Sequence, residues 1–165
     1  MKRAEPVEDV HDPQLQQLVQ DLRDTQHHYS GAGLSAPQVG VSLRVVVFGF
    51  EVCARYPDRD AIEPMVLLNP EYQPLSTNLV LDWEGCLSVP GLRGVVARHD
   101  RIRYTGFDLS GERVERTADG FHARLVQHEI DHLDGVLFVH RLHHPRWFGF
   151  EDSLDYSQYD LSKED

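Results

Sequence analysis

The stretch Asp119-Gly120-Phe121-His122-Ala123-Arg124-Leu125-Val126-Gln127-His128-Glu129-Ile130-Asp131-His132-Leu133-Asp134-Gly135 decides how this chain is organised. Asp119 is a residue type that caps helix N-termini, and Gly135 is suited to the left-handed residue that ends a helix. Nothing between them breaks a helix, so the pattern predicts one from about Gly120 to Leu133. Within it lies His-Glu-x-x-His. His128 and His132 then stand one turn apart on the same face, where they can share a divalent ion. Glu129 is rotated by about 100° from His128, so it is poorly placed as a third ligand on that axis. It is better suited to accept and return the protons of a water activated by the metal. Phe121 and Leu125 continue the stripe of His128 and His132 at helical spacing, placing an apolar wall beside the ligands.

Outward from this helix, the rest of the chain reads mostly as strands. Val45 to Phe50 is β-branched and aromatic, a buried strand; Glu51 to Pro64 is a charged loop, and Met65 to Leu68 a second strand. Shorter extended pieces follow at Asn78 to Trp83 and Val95 to Arg98. Arg101 to Asp108 alternates in polarity, turns at Ser110-Gly111 and pairs with Arg113 to Thr117 as a hairpin. Before all of these, Asp12-Pro13 starts a helix in which Leu15, Leu18, Val19 and Leu22 recur at helical spacing to about Tyr29. Strands followed by one late helix indicate an α+β domain, mostly antiparallel, not alternating βαβ units. The expectation is one domain over residues 1–165, with an acidic tail from about Glu151.

The composition narrows the function classes. Lys and Arg number 16 against 27 Asp and Glu, a net charge of −11, which disfavours a groove that tracks nucleic-acid phosphates. No apolar run is long enough to span a bilayer, and Met1 to Val10 has no secretory core, so the cytoplasm is the expected location. The two cysteines, Cys53 and Cys86, are expected to be reduced there.

An open catalytic metal site needs a third protein ligand. The His-x-x-Gly-x-x-His continuation fails, because Phe138 occupies its last position. Glu151, Cys53 and Cys86 stay open as candidates. Cys86 is favoured moderately, since Gly85 beside it permits close backbone approach.

Three segments taken together are specific. Gly31-Ala32-Gly33-Leu34-Ser35-Ala36-Pro37-Gln38, Glu84-Gly85-Cys86-Leu87-Ser88 and Gln127-His128-Glu129-Ile130-Asp131-His132 match in order the motifs of the peptide deformylases. The chain resembles that family from about Ala4 to Leu142. The resemblance implies a fold of small antiparallel sheets around a central helix that carries the metal site. It implies removal of the formyl group from nascent polypeptides that begin with formyl-methionine. It implies that Cys86, His128 and His132 hold the metal, that Glu129 shuttles the proton, and that Gln38 and the Leu87 N–H bind the formyl oxygen. Gly33, Leu34, Glu84, Gly85, Arg93, Phe121 and Leu125 are the expected substrate-binding residues. The implied ion is Fe²⁺, with Zn²⁺, Ni²⁺ or Co²⁺ as substitutes. Transient ribosome association is the further partner, though an acidic tail does not suit docking on RNA. The rivals are a metallopeptidase cleaving internal bonds and a non-catalytic binding module; Glu129 and Gln38 would be superfluous in the latter.

The chain departs from the family pattern in three places. Ser35 stands for a commoner Ala, and His140 for an Asp. The extended stretch that usually precedes the first helix is short, so an edge strand is expected to be missing or curtailed. Arg93, Arg98, Arg101 and Arg103 form a basic stretch, read either as substrate contacts, Arg93 foremost, or as a solvated face paired with acids. Trp83 and Trp147 are expected to be packing residues.

Overall fold

The computed structural model describes residues 2–156. The fold is α+β. Helix α1 (Pro13–His28) precedes strands β1 (Gly33–Ser35), β2 (Val45–Phe50), β3 (Ile62–Pro74), β4 (Leu79–Cys86), β5 (Val89–His99), β6 (Arg101–Phe107) and β7 (Arg113–Asp119). Helix α2 (Gly120–Leu133) and strand β8 (Phe148–Phe150) follow. One antiparallel sheet runs β1-β2-β3-β6-β7, and a smaller one runs β4-β5-β8. No helix among the described residues is long and apolar enough to cross a membrane.

The apolar run of β2 makes sense because both of its faces are covered. Val45 and Val47 pack with Leu15, Leu18, Val19 and Leu22 of α1. Val46, Phe48 and Phe50 pack on the other side with Ala123, Leu125, Val126, Ile130 and Leu133 of α2. A strand alternates its side chains between faces, so a sheet between two helices needs apolar residues at consecutive positions. Helix α2 is buried over most of its circumference, polar residues included. It is the central element that the family resemblance implied.

The ends of α2 were half foreseen. Gly135 has φ +75, Gly135 N–H donates to His132 O (3.1 Å) and Val136 N–H to Asp131 O (2.8 Å), the Schellman pattern. Asp119 precedes the helix but makes no side-chain cap. Its carboxylate pairs with Arg101 at 3.2 Å, and Gly120 N–H donates to Asp100 O instead.

Strand β3 does not stop at Leu68. Asn69, at φ +50, accompanies a register shift, after which Glu71 to Pro74 continue along β6. That second half is largely exposed, so no apolar run announced it. The N-terminal segment does supply an edge piece: Glu5 bridges Leu43 in parallel, and Ala4 N–H donates to Leu133 O at the end of α2 (2.7 Å). Of the acidic stretch expected from Glu151, residues beyond 156 lie outside the described residues.

Candidate metal centre and active site

Strand β4 and helix α2 bring the ligands together. Between Gly85 and Cys86 the β4–β5 register shifts, and Leu87-Ser88 form the turn before Cys86 pairs with Val89. Such a bulge re-aims the side chain that follows it. Cys86 Sγ lies 3.2 Å from His132 Nε2, and one ligand atom each from Cys86, His128 and His132 all fall within 4.8 Å of one another. Two imidazoles and a thiol, largely buried and converging, fit a transition-metal ion by chemistry and by spacing. Cys53 is buried elsewhere, its Sγ donating to Ser30 O at 3.3 Å, and both cysteines are free thiols. Glu151 is spent on Arg93, at 2.6 Å.

Glu84 stands among the residues expected to bind substrate. Glu84 borders the pocket, but its carboxylate is buried and committed. It accepts from Arg98 Nε (2.9 Å) and Nη2 (3.0 Å), from Arg124 Nη1 (2.8 Å), and pairs with His128 Nδ1 (2.9 Å). Holding Nδ1 as the donor leaves Nε2 of His128 as the atom able to take a metal. Burial opposes the charge on Glu84, yet Arg98 and His128 outweigh it and hold the carboxyl far below the usual range. Asp131 extends the network: it pairs with Arg98 Nη1 and takes both oxygens to Arg141, each at 2.6 Å.

Glu129 sits in a different setting. Burial pushes its carboxyl up, against the opposing pull of His128 and of a hydrogen bond from Ser35. Ser35 Oγ donates to Glu129 Oε2 at 2.6 Å. Gly33 lies against the same side chain, so close that a Cβ there would stand 2.6 Å from Oε1. Gln38 is fixed by Ser35 N–H donating to its Oε1 (2.8 Å), which turns Nε2 toward Cys86 Sγ (3.6 Å) and Ser88 Oγ (3.1 Å). Burial pushes His132 down to about 3, so it is a neutral imidazole. In His128 burial acts the same way, but hydrogen bonds to Cys86 and Glu84 prevail and raise it.

A pocket opens onto this group, bordered by Gly33, Gln38, Gly85, Leu87, Phe121 and Leu125 among others. Phe121 and Leu125 thus form the apolar wall read from the helical stripe, backed by Tyr56 with its ring 4.8 Å from Phe121. Leu34 does not join them, because its side chain is buried in the α1 cluster. Arg93 stands behind Gly85, tied to Glu151 and with its guanidinium 5.2 Å over the Tyr56 ring. Arg101 and Arg103 are indeed exposed and paired with acids, whereas Arg98 is buried. Trp147 packs in the interior, but Trp83 borders the pocket. His140 is exposed, and its Nδ1 accepts from Leu137 N–H (3.0 Å), closing the short turn that follows α2. Sequence reasoning missed Arg124 and Asp131, and read Arg98 as a substrate contact or a solvated residue where it is buried on Glu84. Arg124 and Asp131 flank His128 at i−4 and i+3, so polar residues at the spacing of a buried helix face were the available signal.

A small α+β fold with His-Glu-x-x-His on its central helix and a cysteine delivered from a hairpin defines a metal hydrolase with a mixed imidazole and thiolate site. Comparison with known proteins narrows the class. The family model described as polypeptide deformylase matches residues 1–147. "Peptide deformylase 1" of Nitrosomonas europaea is 49% identical over 93% of this chain and 88% of its own length. "Peptide deformylase 2" of Ralstonia nicotianae is 51% identical over 93% and 87%. Among solved structures, a class I type b peptide deformylase from Acinetobacter baumannii superposes with a TM-score of 0.81 at 41% identity, covering 85% of this chain and 89% of that one. The same enzyme with Met-Ala-Ser bound gives 0.79 at 39% identity over 86% and 89%. The chain belongs to the peptide deformylase family.

Proposed function

We propose that this pocket removes the N-formyl group from nascent peptides, releasing formate and a free amino terminus. The observation that carries the reading is the convergence of Cys86, His128 and His132 beside a raised, buried Glu129 and the fixed amide of Gln38. Among the described residues strand β1 pairs only with β2, which leaves its second edge for main chain, and Gly33 on it borders the pocket. A peptide lying along that edge puts its first side chain against Phe121 and Leu125. The Gln38 amide, with the Leu87 N–H of the adjoining turn, supplies donors for the formyl oxygen, where negative charge develops. Glu129 takes the proton of the attacking water and passes it to the departing amine. Its raised carboxyl lies closer to neutrality than an ordinary glutamate, as a group that both accepts and returns a proton should. Cys86, His128 and His132 would hold a divalent ion, which when bound supplies Lewis acidity for the water and the carbonyl.

The ion proposed is Fe²⁺, with Zn²⁺, Ni²⁺ or Co²⁺ able to replace it, since a mixed imidazole and thiolate set accepts all four. The place of action is the cytoplasm, at or near the ribosome, where formylated chains emerge. The deciding experiment is formate release from a formyl-methionyl tripeptide by apo protein reloaded with each ion. Cleavage of internal bonds without formate would favour the peptidase reading. Zinc protein as fast as anaerobic iron protein would leave the activity standing and overturn the choice of ion.

A further inference from the structure

We propose that Arg55 is a specificity-determining residue whose guanidinium receives an acidic side chain on one of the two residues after formyl-methionine. The proposal rests on the deformylase reading of the pocket. Arg55 borders that pocket, and its Nη2 lies only 3.2 Å from where a Cβ on Gly85 would stand. Gly85 immediately precedes the ligand Cys86. The Arg55 main chain is held in place, because its carbonyl accepts from Arg93 Nη2 at 3.2 Å.

The neighbouring arginines are all engaged. Arg59 pairs with Asp82 (2.5 Å), Arg93 with Glu151 (2.6 Å), and Arg98 and Arg124 with Glu84 (2.9 and 2.8 Å). Arg55 has no ion pair and no side-chain hydrogen bond among the described residues. The carboxylates that border the pocket do not answer it: Glu84 serves three partners, and Glu129 is buried against Ser35. A half-buried guanidinium without a counter-ion among the described residues, beside arginines that are each paired, is poised for a carboxylate from outside.

The path of the substrate brings one there. With the formyl group at Cys86 and main chain along β1, the peptide leaves between Gly33, which lies against Glu129, and Gly85, which precedes Cys86, both on the pocket border. Its next residues would then come to the part of the rim that Arg55 borders beside Gly85. The net charge of −11 predicts the opposite preference, because the whole molecule repels anionic peptides. The sign of the preference therefore separates the local cation from the global field.

The test compares formyl-Met-Glu-Ala, formyl-Met-Gln-Ala and formyl-Met-Lys-Ala, and the set with the variable residue third, by formate release from metal-loaded protein. In at least one set, kcat/KM for Glu over Lys should be about fivefold, carried mainly by KM and reduced at high salt, as for a partly exposed charge pair. Arg55→Gln, at matched metal content, should bring that ratio to one or below, and Arg55→Lys should restore part of it. Lys peptides equal to or better than Glu peptides in both sets, or a Glu preference that survives Arg55→Gln, would overturn the proposal while leaving the activity intact. No formate from any peptide would overturn the deformylase reading and this one with it.

Discussion

Replacing Gly33 with Ala should disable the proton shuttle while leaving the metal ligands alone. Gly33 has no positive φ, so alanine can adopt its backbone and the whole effect is one of space. The added methyl would stand 2.6 Å from Glu129 Oε1, 2.9 Å from Cδ and 3.0 Å from Cγ. Ordinary contact begins near 3.4 Å, so the carboxylate must retreat by about 0.8 Å. It has nowhere easy to go, because Oε2 is held by Ser35 at 2.6 Å and the α2 backbone is packed on both sides. Displacement of a reacting group by about 1 Å can cost on the order of 100-fold in rate, equivalent to about 2.7 kcal/mol of barrier. The expected outcome is a kcat lower by about 100-fold with metal content unchanged, since the three atoms nearest the methyl all belong to Glu129 and not to Cys86, His128 or His132. The assay is steady-state formate release alongside metal analysis of the same preparation. A kcat within threefold of the parent, or activity lost only in step with metal, would refute the reasoning.

Three further outcomes follow from the same geometry. Cys86→Ala should lose metal, Glu129→Gln should keep it but lose turnover by at least about 100-fold, and Glu151→Gln should leave metal content unchanged; metal analysis of the three proteins checks this. Glu84→Ala should destabilise by about 3–5 kcal/mol in urea unfolding, because two buried guanidiniums lose their shared carboxylate; a loss under 1 kcal/mol would contradict the network. Since the Glu84 carboxyl is depressed on folding, its contribution is full above the ordinary carboxylate range and fades as pH falls below about 4, so the gap between the two proteins should narrow there. His128 is raised in the metal-free protein and must shed its proton to ligate, so metal uptake should strengthen as pH rises through neutrality and release a proton; calorimetry in buffers of different ionisation enthalpy would expose a pH-independent uptake.

Where the sequence alone sufficed, the information was local. Helix α2 was legible to its boundaries because helical hydrogen bonds repeat every few residues and Gly135 supplies the one left-handed position its end requires. The pair His128 and His132 followed from the same repeat. Phe121 and Leu125 did too, and a stripe on a helix stays a stripe in the folded chain. The short strands β1 and β8 were invisible, since three residues carry no period and exist as strands only through the neighbours they pair with. From the residues by themselves, the third ligand stayed open among Cys53, Cys86 and Glu151; the β4–β5 register shift chose Cys86. Glu84 does border the pocket, but that Arg98 from β5 and Arg124 from α2 close on its carboxylate was not legible in the sequence. Ser35 looked like a minor variation, yet it meets Glu129 across 94 positions of chain. Residue spacing determines what one helix can present, because its backbone geometry is periodic. Which side chains from separate elements meet at that helix is decided only when both sheets pack around it and buried charges must find partners there.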